Sequence, residues 1–412
     1  MTHLEYPRLR PLEPMAVHVQ GRAMMLLRDP LRLCSGELCI AMEAVFLLHL
    51  LDGKHSLRDL KAHLARRTGS LLVSDQIEHL VTQLDAFALL DNQTFQQTFR
   101  QVSEQFAAEL HREAFHAGTA YPAHPAELNE LLDGFYAGIH EPSSQPAVQS
   151  GTVQGLVVPH IDVRAGGIVF ARGYDALRQS HAMPETFVIL GTGHQGLRSG
   201  FACTRKAFVT PLGAVETDVD FVDALMEEMP VDLLGEELAH RTEHVIEFQT
   251  IFLQHLLSGR HPFKIVPILC SFEPELFFQG THDGRAEVFN AVANRLATLI
   301  QEWKRPVCLI ASADLDHVGP RYGDRFQPTE QDILQHLEED RELLTLAAQG
   351  RDRDFLEWML RANRRKKICG FPAIYTLMQA LPGSRWEILA LDHSIVDREG
   401  SFVSYGAAVL HR

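Results

Sequence analysis

The chain is 412 residues long, 46% hydrophobic and 22% charged, the balance of an ordinary globular protein with room for two domains or one large domain with an appendage. Its formal net charge of −15 argues against a general binder of nucleic acid or of anionic membranes, both of which need a basic face. The longest apolar stretch, Ala44–Leu51, includes His49 and is far too short to span a bilayer.

Met1–Gln20 carries prolines and charges where a secretory segment needs an apolar centre. Cysteines 34, 39, 203, 270, 308 and 369 are scattered, with no Cys-x-x-Cys pair, which suits a reducing, cytoplasmic setting. Met24–Cys34 reads as two short strands around Asp29-Pro30, and Ala41–Leu51 has helical apolar spacing up to a turn at Asp52-Gly53. Ser56 opens a second helix that closes near Thr68-Gly69. Ser74-Asp75 caps a third, with Ile77, Leu80, Val81, Leu84 and Phe87 on one stripe. Ala88–Asn92 then starts a final strand or wing, so residues 1–100 read as a winged-helix-like module.

That segment holds 11 Lys/Arg and 11 Asp/Glu, and its neutrality argues against DNA, whose phosphates need local positive charge. The order of elements resembles the PqqD-like peptide-recognition modules, and the resemblance implies a sheet edge that holds an extended peptide. A packing or dimerisation appendage fits the same pattern. A helical linker over 101–112 leads to a second domain over 113–412, the boundary falling between residues 95 and 112.

In the second domain His116–Pro125 is loop-like, Ala126–Tyr136 an amphipathic helix, and Glu141–Ser150 a polar surface connection. Short, wholly apolar runs end abruptly at Pro159-His160 and at Gly191-Thr-Gly-His194, as strands buried on both faces do. Ile265–Cys270, Val307–Ala311, Trp386–Leu391 and Ser404–Leu410 read as further strands. Helical patterns over 221–228, 241–257, 285–303, 330–349, 353–363 and 372–381 separate most of them. The alternation predicts an α/β domain whose central sheet is mixed, mainly parallel, and flanked by helices.

Ligands of such sheets sit beyond the carboxyl ends of the strands, where His160 and His194 fall. Gly191-x-Gly193-x-x-Gly196 fits a dinucleotide fingerprint, but no helical stripe follows the third glycine, so NAD is not expected. Glu243-His244 starts a helix with Glu247 one turn on. Asp314, Asp316 and His317 follow a strand, and Cys369 precedes Gly370-Phe371-Pro372. Imidazole, thiolate and carboxylate together suit a borderline divalent transition metal, Fe(II), Cu or Zn. Each residue also has an ordinary alternative: Asp314 as a turn cap, Asp316 as a solvent-facing acid, Glu243 and Glu247 as a solvated helix start, Cys369 as an inert core thiol, and Arg364–Lys367 as a solvated basic face.

His116-Ala-Gly-Thr-Ala-Tyr-Pro, Pro159-His160, Leu190-Gly-Thr-Gly-His194, Glu243-His-Val-Ile-Glu247, Ser312-Ala-Asp-Leu-Asp-His317-Val-Gly, Cys369-Gly370 and Ser404-Tyr405, in that order, resemble the Memo-like family. That family includes the protein B component of the AmmeMemoRadiSam system. The resemblance implies a fold like the class III extradiol dioxygenases and a metal, Fe(II) favoured, held by His160, His194 and Cys369. It also places Asp314 and His317 in the same pocket, with Glu243 and His244 in its wall. The sequence departs from the family's Pro-His-Ala-Gly-Tyr, having Ile161-Asp162-Val163 after His160, so Asp162 is a new acid expected to orient that imidazole. As an enzyme, the protein would be a metal-dependent oxidoreductase with His317 as acid or base and Asp314 fixing its tautomer. As a non-catalytic adaptor, it would hold a metal or a peptide end while the amino-terminal module recruits a partner. The two resemblances together imply a radical-SAM enzyme and a peptide or protein substrate as partners.

Overall fold

The computed structural model describes residues 4–34, 36–68, 74–139, 151–257, 259–278, 284–362 and 366–412. The polar connection expected at Glu141–Ser150, and Arg364 and Arg365 of the basic run, lie outside the described residues. The chain divides into two compact units, Met1–Glu109 and Leu110–Arg412.

The first unit opens with an antiparallel meander of β1 (Glu13–Val19), β2 (Arg22–Arg28) and β3 (Leu38–Ala41). The helices α1 (Val45–Leu48), α2 (Leu57–Thr68), α3 (Ser74–Ala86) and α4 (Gln93–Ala108) follow. Leu27 and Ile40 from the sheet pack with Leu60, Ile77, Val81 and Leu84, so the stripe read from the sequence on α3 faces this core. No distinct winged-helix or PqqD-like module is evident in the sheets described. The wing expected at Ala88–Asn92 is one isolated bridge, Leu90 to Leu9. The chain has no room for more there, because Asn92 caps α4 by accepting a hydrogen bond from Phe95 N at 3.2 Å. The second strand expected after Asp29-Pro30 is a turn, folded around the Asp29 carboxylate, which accepts from Leu31 N and Leu33 N.

The second unit contains β4 (His111–Arg112), α5 (Pro125–Ile139), β5 (Val153–Val158), α6 (Val163–Arg178), β6 (Thr186–Thr192), β7 (Phe201–Cys203), β8 (Ala207–Thr210) and β9 (Gly213–Val215). It continues with α7 (Val219–Met226), α8 (Val245–Leu257), β10 (Lys264–Cys270), α9 (Arg285–Glu302), β11 (Val307–Ser312) and β12 (Asp314–Val318). Then come α10 (Glu330–Ala348), α11 (Asp352–Ala362), α12 (Phe371–Ala380), β13 (Arg385–Ile395) and β14 (Phe402–His411). An eight-stranded sheet runs β12-β14-β5-β11-β6-β10-β7, with β13 paired to β14. The four central strands β5, β11, β6 and β10 are parallel, and β7, β12, β13 and β14 pair antiparallel. The mixed central sheet flanked by helices expected from the sequence is present, but it is partly and not mainly parallel, because four of its eight strands pair antiparallel.

Every central strand is apolar on both faces because helices cover both. Val188, Leu190, Val266, Ile268, Leu309 and Ala311 pack towards α9 and α12. The residues between them, Phe187, Ile189, Ile265, Leu269, Cys308 and Ile310, pack towards α6 and α8. This period-two division explains why the strands read as unbroken apolar runs. α8 is buried nearly all round, as a helix enclosed by its own domain must be.

The parallel strands deliver their carboxyl ends to one edge, where α8 and α12 begin. Two glycines let these helices come close. A Cβ on Gly191, in β6, would lie 2.2 Å from Val245 Cγ2 at the start of α8. A Cβ on Gly370, before α12, would lie 2.4 Å from Asp314 O. Gly191→Ala is expected to push α8 off β6 and to destabilise the protein by about 1–3 kcal/mol. Gly134→Ala on the exposed side of α5, where nothing lies within 4 Å, should be neutral or stabilising by up to about 1 kcal/mol. Urea unfolding of both variants beside the wild type measures the contrast.

Candidate metal centre

His160 follows β5, His194 follows β6, and His244 immediately precedes α8. Each offers one ring nitrogen, and the three atoms all lie within 4.8 Å of one another. The rings of His194 and His244 stack with centroids 5.1 Å apart, and His160 stands edge-on to both. His160 is buried, while His194 and His244 keep part of their surface.

Fixed acceptors hold the Nδ1 atom of all three rings. His160 Nδ1 lies 2.9 Å from Ser312 O. His194 Nδ1 and His244 Nδ1 lie 3.1 and 3.0 Å from the same oxygen, Glu243 Oε1. A carbonyl or an ionised carboxylate only accepts, so each Nδ1 donates and each Nε2 is left for another partner. Glu243 also accepts from the amides of His194 and His244 at 3.0 Å each. Burial disfavours its charge, but His194 and His244 outweigh that and hold its carboxyl well below the usual range. Burial likewise opposes charge on His194, and Glu243 with a hydrogen bond donated to the Cys369 sulfur outweighs it, raising that imidazole well above its ordinary value. His160 goes the other way: burial and the two neighbouring imidazoles depress it well below.

The expected His160/His194/Cys369 ligand set is corrected by this geometry. The group of mutually close ligand atoms is His/His/His, with His244 in place of Cys369. Cys369 stays beside the site, its sulfur 3.1 Å from His160 Nε2, but burial pushes its thiol up and so favours the neutral form, whereas metals bind the thiolate. His244 reads from the sequence as pocket wall, because its place beside His194 depends on α8 seating against Gly191, which no local spacing encodes.

Two further roles are also corrected. Asp314 does not hold His317. Its carboxylate accepts from His160 N and Ile161 N at 2.8 and 3.1 Å and lies 3.7 Å from His160 Nε2. Burial pushes it up to about 6 against the pull of those amides. His317 is instead tied through Nδ1 to Lys367 O at 3.0 Å, and burial brings it down to about 4. Asp162 does not orient His160. It caps α6 by accepting from Arg164 N at 2.8 Å, and Ser312 O does the orienting.

Sequence reasoning missed the supports beneath the site. Gln249 of α8 donates to Pro159 O at 2.8 Å and to Ser312 Oγ at 2.7 Å, fixing the loop before His160 and the end of β11 together. Asp316, read as solvent-facing, is buried. It accepts from His336 Nδ1 at 2.5 Å and Lys367 N at 2.9 Å, with Lys366 Nζ at 3.1 Å. Lys366 of the basic run is thus not a solvated residue: it is enclosed by Asp316, Asp340 and Glu339, and it anchors the chain leading to Cys369. His194, His317, Tyr322, Lys367, Cys369 and Phe371 line a cavity of about 610 Å³.

Glu247, one turn into α8, is fully buried against Arg112. It also accepts from Tyr121 Oη and from the amides of Phe115 and His116. Burial raises its pKa, but Arg112 and the other donors outweigh that and leave it below the ordinary glutamate value. A carboxyl depressed by folding contributes stability that is present above its unfolded pKa, about 4.5, and is lost as pH falls through the folded value. Glu247→Gln should therefore cost about 3 kcal/mol at pH 7, and acidification towards pH 3 should narrow the gap from wild type. Urea midpoints across pH 3–7 check both the size and the sign.

The second unit, which carries these histidines, matches a known family. The family model described as Memo-like protein matches residues 112–409. A MEMO1 family protein of Aquifex aeolicus is 28% identical over 347 residues, 84% of each chain. One from Methanopyrus kandleri is 33% identical over 54% of this chain and 73% of its own, and one from Methanocaldococcus jannaschii is 37% identical over 50% and 69%.

Proposed function

We propose, for a chain that belongs to the Memo-like protein family, that His160, His194 and His244 hold one divalent first-row metal ion and present it to a ligand in the adjoining cavity. One observation carries the reading: one ring nitrogen from each of the three histidines lies within 4.8 Å of the other two, while all three Nδ1 atoms are held by Ser312 O or Glu243. Proteins that bind metal through histidine fix the far ring nitrogen in this way. The buried negative charge of Glu243 is also one that a cation among these imidazoles balances. Imidazole donors suit Zn, Cu and Fe(II) alike, and three such ligands leave a position open. A bound ion of this kind supplies Lewis-acid activation of an oxygen ligand.

The chain's own residues define what reaches that position. His317, neutral with its Nδ1 proton on Lys367 O, turns Nε2 as an acceptor towards a donor group on the ligand. Asp314 holds the His160 backbone, and the Cys369 thiol packs against His160. A ligand with an apolar body and a hydroxyl or amine at the metal end fits a wall containing Phe272, Met359, Ile368 and Phe371.

Purified protein reconstituted with Co(II) and desalted should carry about one ion per chain. His160→Ala and His244→Ala should each drop it at least about tenfold in affinity, while Cys369→Ser keeps it. Azide added to the Co(II) protein should shift the visible spectrum through the open position. Loss of metal in Cys369→Ser with retention in His244→Ala would contradict the three-histidine site.

A further inference from the structure

Arg112, the last residue of β4, is fully buried, and its guanidinium reaches the segment that carries Glu243 and His244. Nη1 pairs with the Glu247 carboxylate and donates to Glu113 O at 3.0 Å. That pair balances two buried charges. The other two nitrogens do something different: Nε donates to His240 O at 3.0 Å and Nη2 to Glu243 O at 2.7 Å. An ion pair with Glu247 needs neither bond.

The Glu243 peptide depends on this contact because the helix beside it does not hold it. The first acceptor of α8 is one residue later, His244 O, which takes Phe248 N at 3.0 Å. Thr242 O, between the two carbonyls that Arg112 holds, lies 2.9 Å from His116 Nε2. One short stretch, Arg112 to His116, therefore fixes the backbone over 240–243. The stretch is itself anchored away from the site: β4 pairs with β8, Arg112 opposite Phe208, and the guanidinium carbon lies 5.3 Å from the centre of the Phe208 ring.

We infer that Arg112 is a positioning residue for the metal centre, holding the Glu243 peptide so that its carboxylate reaches both His194 Nδ1 and His244 Nδ1. This rests on the three-histidine site proposed above. The two tasks of the guanidinium separate chemically. A lysine at 112 keeps a cation for Glu247, but its donors radiate from one point and cannot span a carboxylate and two carbonyls. A glutamine at 247 removes the charge and leaves the bonds to His240 O and Glu243 O. Arg112→Lys should thus disturb the site more than the fold, and Glu247→Gln the fold more than the site.

The test compares the two variants with wild type as full chains, well below each unfolding midpoint, so that only folded molecules are read. Arg112→Lys should bind Co(II) about tenfold or more weakly and change its visible spectrum, while Glu247→Gln keeps the wild-type affinity and spectrum. A residue that only stabilises the fold would move neither reading. NMR of the metal-free protein reads the position of Glu243 directly, through the downfield Nδ1–H protons of His194 and His244, assigned with His194→Asn and His244→Asn. These should be present in wild type and Glu247→Gln and shifted or lost in Arg112→Lys. If Arg112→Lys does not fold, Arg112→Met with Glu247→Gln removes both charges together and carries the same expectation. Ring N–H signals absent from the wild type, unchanged on loss of the guanidinium, or lost equally in Glu247→Gln would each overturn the inference. Their loss in Arg112→Lys, in a protein whose wild type takes up no Co(II), would remove the metal reading and leave the positioning role standing.

Discussion

One buried carboxylate oxygen, Glu243 Oε1, sits 3.1 Å from His194 Nδ1 and 3.0 Å from His244 Nδ1. The two histidines come from different elements, one from the end of a strand and one from the start of a helix. A single acceptor shared between them sets their spacing, fixes their tautomers and stacks their rings. Charge-assisted hydrogen bonds of this kind are about twice as strong as neutral ones, and removing the acceptor would leave two buried donors unpaired. The third histidine has its own acceptor in Ser312 O, at the end of the neighbouring strand. The three imidazoles are thus aimed before any ligand arrives.

That arrangement is possible because the sheet brings its strand ends to one edge and lets helix starts press close. Val245 sits over the bare Cα of Gly191, and Gly370 lies against Asp314 O. Beneath them the polar groups are paired in two buried networks. Gln249 links Pro159 to Ser312, and Asp316 links Lys366, Lys367 and His336. Each ties a loop bearing a site residue to an element that does not, so the site is held by the fold and not by its own contacts alone.

Much of this was legible in the sequence. The unbroken runs at Leu156–Val158 and Phe187–Leu190 identify strands buried on both faces, and their abrupt ends place His160 and His194 at the carboxyl edge. Family membership was readable from the ordered short motifs between His116 and Tyr405. What was not legible depends on packing at a distance. His244 becomes a ligand candidate only when α8 rests on β6, and Asp314 turns to His160 because β11 and β5 are parallel neighbours. Lys366 looks like part of a solvated basic run until Asp316 and Asp340 enclose it. In the first unit the helical stripes and the strand from Met24 to Arg28 were readable, whereas β1 and β3 were not. β1 is largely exposed and β3 is only four residues long, so they lack the apolar runs that mark the central strands.

The central claim is that the metal is bound through nitrogen alone among the protein ligands. X-ray absorption at the zinc edge of the reconstituted protein measures this directly. Three imidazole nitrogens at about 2.0 Å with light-atom ligands only are the predicted result. A sulfur scatterer at about 2.3 Å with only two imidazoles would contradict the account and return Cys369 to the ligand set.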